Sequence, residues 1–166
     1  MLPVRLHYTI RGGDFLYAGE ASSGMKKALT KLGVDPAAVK RASIAMYEAE
    51  INAVIHAGGG EADVLIFADH VSIVVRDQGP GIPDVGLAMQ EGWSTAPDAA
   101  REMGFGAGMG LPNIQRHADA MEIATEVGVG TTLTLGVQFH RPAGAPVPAV
   151  SAATASAAAT AAPGGV

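Results

Sequence analysis

Glu48, Asn52 and His56 stand four residues apart in the stretch YEAEINAVIHA, inside a segment that opens with Asp35-Pro36 and closes with Gly58-Gly59-Gly60. Those two limits constrain the fold more than any other feature of the chain. An aspartate followed by proline starts a helix, because the carboxylate caps free N–H groups and proline fits the first turn. Glycines after the last periodic residue end one. The spacing therefore predicts a single long helix up to His56, and residues four apart share one of its faces. A carboxylate, an amide and an imidazole then form a polar row. On the helical wheel Ile44, Ile51 and Ile55 form the core stripe, with Glu48 and Asn52 within or beside it.

A carboxylate among buried isoleucines is costly unless it has a partner or faces a cavity. Two readings of the row follow. In one it is the edge of an amphipathic helix, with Glu48 in a surface ion pair. In the other it lines a pocket: Glu48 acts as a general base whose pKa is raised by apolar neighbours, and Asn52 offers an oxygen to Mg²⁺, a hard cation. His56, near a helix C-terminus, suits the dipole without further role.

The elements around this helix alternate in type. Val4 to Ile10 reads as a strand, with Arg5, His7 and Thr9 alternating against Leu6, Tyr8 and Ile10. Asp14 is placed to cap a first helix running toward Leu32. Val64–Ala68 and Val71–Arg76 read as a hairpin with Asp69-His70 at its tip, and Leu111 to Ala120 as a helix. Glu122–Val127 and Thr131–Gln138 form a closing hairpin around Gly128-Val129-Gly130. The fold class expected is α+β, a mixed and mostly antiparallel sheet with helices on one face.

Between the hairpin and the late helix runs a long irregular region, and its two glycine segments carry the chemistry. Asp77 ends an apolar strand and opens Asp-Gln-Gly-Pro-Gly-Ile, where a carboxylate can accept a hydrogen bond from an exocyclic amine. Gly79 and Gly81 would let the backbone approach a flat ring, although an ordinary turn has the same residues. Gly104, Gly106, Gly108 and Gly110 alternate before Leu111-Pro112-Asn113 begins a helix, a recipe for holding phosphates on free N–H groups at a helix N-terminus. Neither common nucleotide loop is present. No Gly-Lys pair occurs, which excludes the Walker loop, and the Rossmann spacing fails.

Composition narrows the partners. With 166 residues, 48% of them hydrophobic, residues 1–140 suffice for one domain with a real core. A net charge of −5 argues against a nucleic-acid or anionic-membrane surface. The absence of cysteine excludes disulfides, thiolate metal sites and a thiol nucleophile. No apolar run is long enough to span a bilayer and no signal-peptide pattern opens the chain, so a cytoplasmic protein is expected. Residues 141–166, rich in Ala, Pro, Ser, Thr and Gly, read as a disordered tail whose removal should leave stability unchanged.

Taken in order, these pieces resemble the ATP-binding fold shared by DNA gyrase, the Hsp90 chaperone, histidine kinases and MutL, the Bergerat or GHKL fold. Glu48, Asn52 and His56 match its N-box, Asp77-x-Gly79-x-Gly81 its first glycine box, Gly108-x-Gly110-Leu111 its second, and Gly130-Thr131 its late Gly-Thr element. Within that superfamily, DQGPGIPDVGLAMQEGWST followed by GMGLPNIQRHAD looks most like the small bacterial anti-sigma-factor serine/threonine kinases. The resemblance implies ATP with Mg²⁺, and phosphoryl transfer to a serine or threonine on a STAS-domain antagonist protein. It implies that Asp77 reads the adenine amine, Thr131 supports the ring, Asn52 holds Mg²⁺ and Glu48 activates the acceptor hydroxyl. Ile82 joins the first box in the nucleotide site, and Gly104, Gly106, Gly108, Met109, Gly110 and Leu111 belong to a lid (about residues 83–108) and the phosphate-covering loop that follows it. The alternative is a nucleotide-gated binding module that grips a sigma factor or a phosphatase. The insert APDAAREM departs from the family pattern and lengthens the lid, and a homodimer is left open.

Overall fold

The computed structural model describes residues 2–13, 15–92 and 110–155. Strands β1 (Val4–Arg11), β2 (Gly59–Ile66), β3 (His70–Asp77), β4 (Ala120–Glu126), β5 (Gly130–Gln138) and β6 (Val150–Ala155) form one sheet in the order β1-β2-β3-β5-β4-β6. Every pairing is antiparallel except β4 with β6. Helices α1 (Glu20–Lys31), α2 (Pro36–Ala57), α3 (Val85–Ala88) and α4 (Gly110–His117) complete the fold.

Period-two patterning puts Val71, Ile73 and Val75 of β3 and Leu133, Leu135 and Val137 of β5 on one buried face. The long helix α2 lies across β2, β3 and β5, with α1 beside it over β1 and β2 and α4 beside it toward β4. The opposite face carries the outward residues of β1 to β3, including an ion-paired chain in which Asp63 takes His7 at 2.7 Å and Arg76 at 2.5 Å. The expected α+β sheet with helices on one face is therefore what the chain forms.

Helix α2 starts where its sequence says. Asp35 accepts from the N–H groups of Ala37 and Ala38, Pro36 occupies the first turn, and Gly58 closes the helix with φ 69°. Its buried stripe differs from the expected one. Ala42, Ala45, Met46, Ala49 and Ala53 lie against the sheet, while Ile44 and Ile55 are only half-buried. Small side chains let the helix sit close to the strands, so the alanines take the core, and of the three isoleucines Ile51 alone is buried.

Helix α1 is capped in a way the sequence did not suggest. Asp14 lies outside the described residues, and the helix begins after Gly19, which has no side chain to cap it. Glu50, buried at 2% exposure on α2, does so from a distance. Its Oε1 accepts from Gly19 N (3.0 Å) and Ala21 N (3.1 Å), and its Oε2 from Ser22 N (3.0 Å). The carboxylate thus meets the positive end of the helix dipole and satisfies its free N–H groups. Replacing Glu50 by alanine orphans all three donors and is expected to cost about 3 kcal/mol; a denaturant titration checks it.

The tail expectation is corrected by β6. Residues 150–155, read above as part of a disordered segment, pair with β4 in the register Met121↔Val150 to Glu126↔Ala155. Burial was the wrong criterion for this segment. The backbone satisfies the open edge of β4, so small Ser and Ala side chains suffice. The connection is also tied down: Arg141 pairs with Asp119 at 3.3 Å and donates to Arg116 O at 3.1 Å, while Gln115 donates to Pro148 O at 2.9 Å. A chain ending at His140 should lose about 3–7 °C in melting temperature by calorimetry, the scale of about one to two kcal/mol for a domain this size. An unchanged midpoint would contradict the pairing.

Smaller shifts have local causes. His70 belongs to β3 because its carbonyl accepts from Phe67 N at 2.9 Å, with the two rings stacked at 4.4 Å, and this moves the hairpin tip one residue earlier. The late helix ends at His117, and Ala120 already starts β4. Among the described residues no helix is long and apolar enough to cross a membrane.

Candidate functional site

Three residues lie in one row across three strands: Thr125 of β4 pairs with Thr131 of β5, and Thr131 pairs with Asp77 of β3. Directly opposed residues of an antiparallel sheet share a face, so these side chains adjoin on the helix-covered side. Asp77 Oδ1 accepts from Gly79 N at 3.0 Å and from Thr131 N at 3.2 Å. Both bonds fall on one oxygen, which fixes the carboxylate and orients the other.

The glycines around Asp77 are required by protein packing. A Cβ at Gly79 would stand 2.5 Å from Ala57 Cβ, so the loop lies directly on the end of α2. At Gly81, φ is +75° and a Cβ would meet Glu126 O at 2.5 Å. At Gly130 it would meet Asp77 O at 2.1 Å. Gly79 and Gly81 were expected to let the backbone approach a flat ring; in the structure all three glycines seat the Asp77 loop between α2 and the β4–β5 hairpin. Ile82 follows, half-buried on the core, and its N–H donates to Thr125 Oγ1 at 2.8 Å.

The second centre is on α2. Glu48 and Asn52 are half-buried and face the start of α4. A Cβ built on Gly110 would lie 3.0 Å from Asn52 Oδ1 and 3.4 Å from Glu48 Oε2, so a helix N-terminus, an amide and a carboxylate meet there. Burial raises the Glu48 pKa above the usual carboxylate range, against a 3.4 Å hydrogen bond from Asn113 Nδ2 and the charge of His117. His56, two turns on, has its pKa lowered by burial, with the Asp77 charge opposing. Glu48 and His56 are about 12 Å apart along the axis at 1.5 Å per residue. The site is therefore elongated, with acceptors at the Asp77 end and an amide and a carboxylate at the other.

Leu111 packs half-buried against the core beside this second centre. Gly104, Gly106, Gly108, Met109 and the insert APDAAREM lie outside the described residues. Sequence reading missed Thr125 and Asn113. Thr125 stands in an alternating strand like any other threonine, and one of its partners, the Ile82 N–H, comes from a loop far back along the chain. Asn113 was noticed only as a helix start; its place beside Glu48 needs the packing of α4 on α2.

Comparison with known proteins places this arrangement. Residues 38–141 match the family described as histidine kinase-, DNA gyrase B- and HSP90-like ATPase. The serine/threonine-protein kinase RsbT of Bacillus subtilis is 32% identical over 124 residues, covering 72% of this chain and 85% of that one. An anti-sigma F factor of Halalkalibacterium halodurans is 34% identical over 95 residues, 53% of this chain and 61% of the relative. Among solved structures, the RsbU and RsbW domains of a Mycobacterium tuberculosis protein share the fold at a TM-score of 0.53 and 20% identity, over 84% of this chain and 34% of theirs. The family match takes in the polar row of α2, the Asp77 loop and the Gly130-Thr131 turn. The chain belongs to the histidine kinase-, DNA gyrase B- and HSP90-like ATPase family.

Proposed function

We propose that the protein is an ATP-dependent serine/threonine kinase of the anti-sigma regulatory type, acting on a serine or threonine of a STAS-domain antagonist. The observation that carries this reading is the meeting of Glu48, Asn52 and the Gly110 end of α4. A helix N-terminus holds phosphate on its free N–H groups. An amide oxygen is a ligand that Mg²⁺ accepts together with phosphate oxygens and water. Among the described residues no group of three His, Asp or Glu could hold a metal ion, so a cation here would rest on Asn52 and the nucleotide itself. Bound there, Mg²⁺ would neutralise charge on the phosphates.

The remaining roles belong to the chain. Asp77 accepts from the exocyclic amine of adenine through the oxygen that Gly79 and Thr131 leave open. Glu48, its proton affinity raised by burial, takes the proton of the acceptor hydroxyl as that oxygen bonds to the γ-phosphorus and the bond from phosphorus to the β,γ-bridging oxygen breaks, ADP leaving with the electron pair. Asn113 donates to Glu48 and holds its orientation. Similarity to a protein named serine/threonine kinase supports the reading.

A second reading is favoured by the similarity to anti-sigma F factors: a nucleotide-gated binding module that holds a sigma factor or a phosphatase with little catalysis. Incubation with labelled ATP and candidate STAS proteins separates the two. Label on one of them supports the kinase; nucleotide binding without transfer to any supports the module.

A further inference from the structure

Three groups converge on Thr125 Oγ1: Ile82 N at 2.8 Å, Thr131 Oγ1 at 2.9 Å and Gly130 O at 3.3 Å. Thr125 is only 4% exposed, so these partners decide its hydrogen bonding. A threonine hydroxyl has one proton and two lone pairs. The Ile82 N–H can only donate, and the Gly130 carbonyl can only accept. Satisfying both uses the Thr125 proton and one lone pair. The second lone pair is left for Thr131, whose hydroxyl must then donate to it.

We infer that Thr125 is a positioning residue that sets the polarity of the base-binding end of the site, by taking the one proton of Thr131 so that Thr131 turns only lone pairs toward the ligand. Asp77, next in the row, is likewise an acceptor there. Two acceptors side by side suit a base edge that presents an N–H donor to them. At its 6-position an amino purine does so, whereas a 6-oxo purine turns a carbonyl oxygen toward the same lone pairs and carries the N–H donor of that edge at N1 instead. This deepens the nucleotide reading and rests on it: the discrimination between the two purines is shared between Asp77 and a hydroxyl that never touches the ligand.

The test is the ratio of affinities for ATP and ITP, which differ at that position, measured by titration calorimetry on the full chain. Wild type is expected to prefer ATP. Thr125→Val keeps the shape and removes the hydroxyl, so Thr131 is free to donate into the slot; the ATP-over-ITP preference should fall about tenfold. Thr125→Ser should keep the wild-type ratio. Thr131→Val, at a half-exposed position, should also lower the ratio, and adding Thr125→Val to it should change the ratio no further. Equal weakening of both nucleotides by Thr125→Val would reduce Thr125 to a structural role and overturn the inference. Should Thr125→Val fail to fold, an unchanged ratio in Thr131→Val overturns it equally. A wild-type chain that binds neither nucleotide overturns the nucleotide reading itself, which is a different result from selective binding insensitive to Thr125 and Thr131.

Discussion

Asp77→Asn is expected to lower ATP affinity by about a hundredfold while leaving the melting temperature within a degree or two. The substitution keeps an oxygen that can accept from Gly79 N and Thr131 N, so the loop stays seated between α2 and the β4–β5 hairpin. What changes is the other atom, which becomes an NH₂ donor facing an amine that is itself a donor. Losing a hydrogen bond to a charged acceptor costs about 1.5–3 kcal/mol, and donor facing donor adds to it. Each 1.4 kcal/mol is about a factor of ten. Titration with ATP reads the affinity and calorimetry reads the fold. Retained affinity would remove Asp77 from the site.

Glu48→Ala separates the two ends of the site. Glu48 is placed beside Gly110 and Asn52, far along α2 from the row proposed to bind the base. ATP binding should persist, while transfer falls by about 10²-fold or more, the usual loss for a general base. The pH dependence has a definite sign. Burial raises the Glu48 pKa, more than Asn113 and His117 lower it. The base works as carboxylate, so transfer should rise with pH through a pKa above the ordinary carboxylate range, and Glu48→Gln should abolish that rise. Stability runs the other way. A folded-state pKa raised above the unfolded value gives a contribution present at low pH and lost as pH climbs through the folded pKa. The ionised side chain therefore weighs against the fold at neutral pH, and Glu48→Gln should be no less stable than wild type there.

The sequence made one half of this site legible and concealed the other. Helix α2 was readable from end to end because its limits are chemical: an aspartate cap with proline, and a glycine that takes a positive φ. The polar row on it could then be placed by periodicity alone. Asp77 was readable because it ends an apolar strand and is followed by glycines. The reason for those glycines was not. Gly79 and Gly81 accommodate Ala57 and Glu126, residues whose proximity follows only from the packing of α2 and the hairpin. Long-range hydrogen bonding was hidden for the same reason. Glu50 is two residues from Glu48 and looks equivalent in the sequence, yet it points into the core and caps α1. The two carboxylates differ by the helix face they occupy, and only the partner elements reveal which face holds the site.

The C-terminal segment shows where a compositional argument misleads. Val150–Ala155 has little to bury, and burial was the criterion used. A strand edge supplies another source of stability, the unpaired N–H and C=O groups of β4. The pairing ends beside Thr125 and Glu126, so β6 braces the hairpin on which the Asp77 loop rests.

The account is tested most directly by phosphoryl transfer itself: labelled ATP with Mg²⁺, a panel of STAS-domain proteins, and the wild-type, Asp77→Asn and Glu48→Ala chains side by side. The expected result is label on a serine or threonine of one STAS protein with wild type, with transfer strongly reduced in both variants and ATP binding weakened only in Asp77→Asn. Undiminished transfer by Glu48→Ala would contradict the role given to the carboxylate beside Gly110, and ATP binding without transfer to any acceptor would contradict the kinase.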